Sequence, residues 1–192
     1  MKLSSNLLAA TLCLALVKAS AQTDPPKGFL KGTIELADGS SLTGWIKDHM
    51  RSNASVVFLS NPTAKKKNYD GSQLNSVEID GVKFLCVKKD FFKILSEGEL
   101  DFLQKSSDVT GKVYYNGIEP AVALGTPGKP GDYFLYSTTK QELKLITKKN
   151  RDEVIATSFA NDAAAIEKAK TVNDDLGQLK DAVDIYNRRT TN

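Results

Sequence analysis

One histidine, His49, and two cysteines, Cys13 and Cys86, are all that 192 residues offer of the side chains that most often build zinc sites or nucleophile–base pairs. A Ser-His-Asp or Cys-His arrangement would have to use His49. That residue lies in "IKDHMRSN", a polar connection following a strand-like run. Cys86 sits in "KFLCVKK" among apolar neighbours, the setting of a structural thiol. No His/Cys cluster has metal-ligand spacing, so no metal site is expected, and no motif calls for a cofactor. Apolar runs are short as well. The longest, "LLAATLCLALV", has eleven residues, about half of what a bilayer-spanning helix needs.

That run lies in an informative place. Lys2 precedes it, and "KASAQ" follows it with Ala19 and Ala21 in A-x-A spacing, which predicts a secretory signal over residues 1–21 cleaved after Ala21. Leu12, not a small residue, precedes Cys13, so a lipid anchor is not expected. Loss of Lys2 and Lys18 leaves 24 basic residues against 23 acidic ones, a net charge of +1. Basic clusters such as "AKKKNY" and "VKKD" are too short to neutralise a run of phosphates, which argues against nucleic-acid binding. The expected product is secreted or periplasmic, with no transmembrane anchor.

Turn chemistry dominates the middle of the chain. Asp38-Gly39, Asp80-Gly81 and Asn116-Gly117 each separate strand-like runs, as in "SVEIDGVKFLCVK". Type I′ turns need positive φ at both central residues, which Gly adopts freely and Asn or Asp tolerates, so these pairs predict antiparallel hairpins. Around Asp80-Gly81 both faces of the second strand are apolar, which makes it a central strand. "SVVFLS", "FFKIL", "ELDFLQK", "DYFLYS" and "ELKLI" are further strands. After Ile146 the pattern changes to helix. "RDEVIATSF" and "ANDAAAIEKAK" supply two short helices, and a third places Leu176, Leu179, Val183 and Tyr186 on one face, with Asn173 as the expected cap. The fold class is therefore α+β: a β-rich antiparallel meander, sandwich-like or an open barrel, followed by a C-terminal helical unit. Its expected divisions are a signal over 1–21, a linker over 22–28, the β-rich body over 29–146, helices over 147–189 and a tail over 190–192.

Two stretches invite a functional assignment. "ALGTPGKPGDYF", Ala123 to Phe134, looks like a phosphate loop, yet Ala123 stands where the first glycine belongs, and Pro130 where Ser or Thr should be. A strand follows it instead of a helix, so it is expected to be a flexible connection. Trp45, Tyr114, Tyr115, Tyr133 and Tyr136 are candidates for an aromatic ligand-binding surface, although sheet packing explains them equally. The stripe Leu176, Leu179, Val183 and Tyr186 is either an interaction face or a packing stripe.

The order "KGTIELADGSSLTGWI", "FFKILSEGELDFL" and "YFLYS…ELKLI…SFANDAAAIEKAK…DLGQLKDAVDIYN" resembles a group of uncharacterised secreted proteins common in Bacteroidota, whose last helix ends in a Tyr-Asn pair, here Tyr186-Asn187. The resemblance implies an envelope or exported protein and brings no chemistry with it. Three functions follow, in order of preference. The first is a non-enzymatic interaction or structural module contacting another envelope macromolecule. The second is a module binding a small ligand or glycan in an aromatic cleft, and the third a hydrolase.

Overall fold

A computed structural model describes residues 24–111, 113–115, 120–122, 125–160 and 162–190. The expected signal segment and the Asn116-Gly117 turn lie outside them. The strands, in chain order, are β1 (Leu30–Leu36), β2 (Ser41–His49), β3 (Ser55–Leu59), β4 (Lys67–Asp70), β5 (Leu74–Ile79), β6 (Val82–Val87), β7 (Asp90–Ser96), β8 (Leu100–Lys105), β9 (Val113–Tyr115), β10 (Pro120–Val122), β11 (Tyr133–Ser137) and β12 (Glu142–Ile146). Ten of them form one open antiparallel sheet in the order β12-β11-β8-β7-β6-β5-β1-β2-β3-β4, while β9 and β10 make a separate hairpin. The expected β-rich antiparallel meander with C-terminal helices is the observed architecture.

The Asx-Gly turns take different forms. Asp80 (φ 50°) and Gly81 (φ 77°) both have positive φ, as a type I′ hairpin requires. At Asp38-Gly39 only the glycine does (φ 84°). There Gly39 N–H donates to Leu36 O, Leu36 N–H donates to Ser40 O, and Asp38 Oδ1 accepts from Ser40 N–H, a longer turn closed by a left-handed glycine.

Connectivity forces the sheet to curl. Strand β5 pairs with β1, so β4 and β5 are four strand positions apart, about 19 Å in a flat sheet. Only residues 71–73 join them, a reach of about 14 Å at full extension. The first strands must therefore bend round, and the bridge between Gly71 and Lys89 marks where they arrive, without a ladder that would close a barrel. Inside the curl lie Ile34, Ile46, Val56, Phe58, Tyr69, Val77 and Phe91. Gly32 and Gly44 face each other across β1 and β2. A Cβ on Gly32 would run into Glu78 O, and one on Gly44 into Leu59 O and the Phe58 ring, so the bend is built on their missing side chains. A four-residue helix, α1 (Met50–Asn53), adds Met50 to this core.

Tyr69 stands edge-on to Phe58, with ring centroids 6.3 Å apart, and its buried hydroxyl has no hydrogen-bond partner among the described residues. An unsatisfied buried hydroxyl costs about 1–3 kcal/mol. Tyr69→Phe is therefore expected to leave the urea midpoint unchanged or raise it. A loss above about 1 kcal/mol would reveal a polar partner for that hydroxyl.

The second half of the sheet carries the helices α2 (Arg151–Ser158), α3 (Ala163–Lys170) and α4 (Lys180–Thr190), with a 3-10 turn over Leu176–Leu179 leading into α4. Leu100, Phe102, Leu135 and Ile146 from the sheet meet Val154, Ile155, Phe159, Leu179 and Val183 from the helices. Fully buried Ala165 and Ala182 fit the contact between α3 and α4. Asp162 caps α3 by accepting from Ala165 N–H at 3.0 Å. Asp175, not the expected Asn173, caps the 3-10 turn by accepting from Gly177 N–H, because its carboxylate stands two residues before that exposed amide.

Asn187 fastens α4 to the sheet. Its Oδ1 accepts from Leu100 N–H at 3.1 Å and its Nδ2 donates to Leu100 O at 2.9 Å, completing one backbone position as a neighbouring strand would. Gly98 makes room for it, since any Cβ there would overlap the Asn187 amide.

Candidate functional site

The stretch that resembles a phosphate loop is held from beneath. Lys105, wholly buried at the end of β8, donates to Thr126 O at 2.8 Å and Gly128 O at 3.1 Å, and lies 3.3 Å from Asp90. Asp90 is equally buried. Its Oδ1 accepts from Ser107 Oγ (2.9 Å) and Val109 N–H (3.1 Å), and its Oδ2 from Thr126 N–H (2.9 Å) and Thr126 Oγ1 (2.7 Å). The segment expected to be a flexible connection is thus held at Thr126 and Gly128. Its carbonyls point inward at an ammonium, while the Thr126, Lys129 and Gly131 amides donate to Asp90, Asp132 and Lys105 O, so these donors are not presented to a phosphate, and Lys129 is exposed. The clamp leaves neither charged group access to a substrate.

The face of the sheet opposite the helices is a better candidate. Strand register fixes its rows: Glu35 opposite Ser76, Ser76 opposite Leu85, and Leu85 opposite Phe92. Thr33 is opposite Glu78, and Glu78 opposite Lys83. The segment held by Lys105 covers one end of this face, where Gly128 lies against Phe134 and Leu145, and Phe92, Leu103 and Phe134 are fully buried. Towards β1 the cover stops and a groove remains. Half-buried Leu85 and Ile94 lie in it together with Glu35, Glu78, Glu97 and Asp101. Among the described residues, Lys83 is the single cation of its lining, 2.6 Å from Glu97. The hydrogen bond to Glu97, then the charges of Glu97, Glu78 and Asp101, raise the Lys83 pKa. Burial, reinforced by Glu97, raises that of Asp101, although the Gly98 amide and Lys83 act against it.

A second cleft opens beside β12, lined by Glu99, Ser137, Thr139, Lys140, Thr157 and Tyr186 among others. Burial, then the neighbouring Glu99 carboxylate, push the Tyr186 phenol up.

The aromatic candidates are dispersed. Trp45 lies on β2 with Lys31 Nζ 5.7 Å from its ring centre. Tyr133 and Tyr136 point to opposite faces of β11: Tyr133 stacks on Phe102 at 5.4 Å under the helices, and Tyr136 packs by Phe134 on the other side. Six strand positions, roughly 29 Å along the sheet, separate Trp45 from Tyr136. Tyr114 and Tyr115 belong to β9, beside exposed Val113. Of the helical stripe, Leu179 and Val183 are buried and Leu176 and Tyr186 half-buried, all packed in the helix–sheet core. It is a packing stripe.

His49 ends β2 and caps α1 through no side-chain bond. Cys86 packs against the core inside the curl, and burial, with the Asp70 carboxylate adding to it, pushes its thiol far above the ordinary range. Thiolate, the reactive form, is then scarce at neutral pH. Iodoacetamide is expected to label Cys86 at least tenfold more slowly in the native protein than in denaturant, and equal rates would place the thiol in a solvated setting. Among the described residues, no group of three or more His, Cys, Asp or Glu side chains is placed to hold a metal ion. None of the described helices is long and apolar enough to cross a membrane.

The groove carboxylates come from β1, β5, β8 and the β7–β8 turn, and no spacing in the sequence links them. The pairings from β5 to β8 bring Glu78, Glu97 and Asp101 together, and the pairing of β5 with β1 adds Glu35. No family model, curated protein or solved structure matches the chain.

Proposed function

We propose that this chain is an exported, non-enzymatic envelope protein that works by contact with another macromolecule, through the uncovered face of its sheet. The observation that carries the proposal is the groove over β1 and β5–β8, where half-buried Leu85 and Ile94 are left among four carboxylates beyond the end of the face that the segment around Gly128 covers. Rigid strands supply every position except Glu97, so the surface is organised before any partner arrives. The signal-like N-terminus supports an envelope or extracellular location.

The test is capture from the envelope fraction with the mature protein and with a variant carrying Glu78→Lys and Glu97→Lys. A specific partner is expected with the wild type and lost with the variant, while intact mass places the mature N-terminus at Gln22. Capture unaffected by the variant, or a retained signal, would count against the proposal.

A small-ligand or glycan module is the second reading. It is favoured by the cleft beside β12, where Tyr186 stands among the side chains of Ser137, Thr139, Thr157 and Ser158.

A further inference from the structure

Resting on that reading of the open face, we infer that the occupant of the groove is a cationic-amphipathic segment of a partner protein, with Lys or Arg residues flanking apolar ones. Four carboxylates, Glu35, Glu78, Glu97 and Asp101, line the groove against one ammonium. That ammonium, Lys83, is already engaged by Glu97. Glu35 receives only neutral donors, Ser76 Oγ at 2.9 Å and Asn75 Nδ2 at 3.4 Å. Asp101, 5% exposed, receives the Gly98 amide. The groove therefore holds an excess of three negative charges, on a mature chain whose net charge is +1. A partner bringing ammonium or guanidinium groups relieves like-charge repulsion that the isolated protein has to bear.

Charge alone would suit a metal or a polyamine equally, and the apolar floor separates these cases. Leu85 and Ile94 lie between the acids, and covering them rewards an occupant with apolar side chains next to its cations. A groove crossing from β1 to β8 covers about four strand spacings, roughly 19 Å, which six extended residues span.

The experiment uses the mature full-length protein and a fluorescein-labelled peptide, Lys-Val-Lys-Val-Lys-Val-Lys, followed by anisotropy. Saturable binding is expected, weakened at least tenfold by Glu78→Lys with Glu97→Lys and by 0.5 M salt. Glu167→Lys, an exposed site on α3, should change it less than twofold. The milder pair Glu78→Gln with Glu97→Gln should give an intermediate loss, and melting curves confirm that each variant is folded. No saturable binding, an unchanged affinity in the charge-reversed variant, or equal binding of Lys-Gly-Lys-Gly-Lys-Gly-Lys or spermidine would overturn the inference. If envelope capture depends on Glu78 and Glu97 while the Lys-Val peptide shows no preference, the occupant is misassigned and the contact function stands. If the peptide binds as expected and no envelope partner is captured, the groove chemistry stands and the contact function fails.

Discussion

Asp90→Ala is expected to lower the free energy of unfolding by about 3–5 kcal/mol, the usual cost of stranding one member of a buried ion pair. Removing the carboxylate takes four hydrogen bonds from Ser107, Val109 and Thr126, and the nearest charge from Lys105. The ammonium would be left with carbonyl oxygens and with Asp108 at 3.8 Å, whose side chain is 42% exposed and correspondingly screened. Urea denaturation of the variant measures the loss. Combining it with Lys105→Met should cost clearly less than the sum of the two single changes, because the second removes the charge that the first has orphaned. In native-state hydrogen exchange, the Val109 and Thr126 amides should lose protection first, since both donate to Asp90. A loss below about 1 kcal/mol for Asp90→Ala, or strict additivity of the pair, would show that water replaces the carboxylate and that the clamp is not a closed unit.

Leu179→Asp should be almost as damaging. Leu179 is 1% exposed, at the junction where the 3-10 turn passes into α4, in one cluster with Leu100, Phe102 and Leu135 of the sheet. The change removes aliphatic burial worth about 1.5–3 kcal/mol and adds a carboxylate with no cation in that cluster. The eleven residues of α4 are too few to be stable as an isolated helix, so the whole element depends on this contact. A fall of several kcal/mol in stability, with lost helical signal, is the expected outcome. An unchanged melt would mean that the stripe is not held by the sheet in solution.

How much of this could be read from the chain depended on distance. Local rules were legible: Asp80-Gly81 demanded its hairpin, the two apolar faces of β6 marked a central strand, and the spacing of Leu179 and Val183 marked one apolar helix face, for packing or for interaction. The return of β5 to β1 was not, because the three residues after β4 look like any other turn until their reach is compared with the strand count. Asp90 and Lys105 read as ordinary polar residues at strand ends, since only the folded packing of the segment from Thr126 to Gly128 brings it onto both of them. The groove escaped for the same reason. Glu35 and Glu97 stand far apart in sequence and meet only across four strands. Aromatic composition pointed instead to residues that the fold scatters over both faces.

The pairing of Asn187 with Leu100 has a consequence in time. The residue that fastens α4 to the β7–β8 corner is synthesised 87 residues after its partner. The curled half can form as soon as β7 is available, whereas the helix–sheet half cannot seal its core until α4 has been delivered. A chain whose synthesis has passed β8 but not yet reached α4 is thus kept partly open, and the arrival of Asn187 becomes the event that completes folding. Termination before Asn187, as by an early stop codon, would leave the strands complete and the bond that seals α4 onto them unmade.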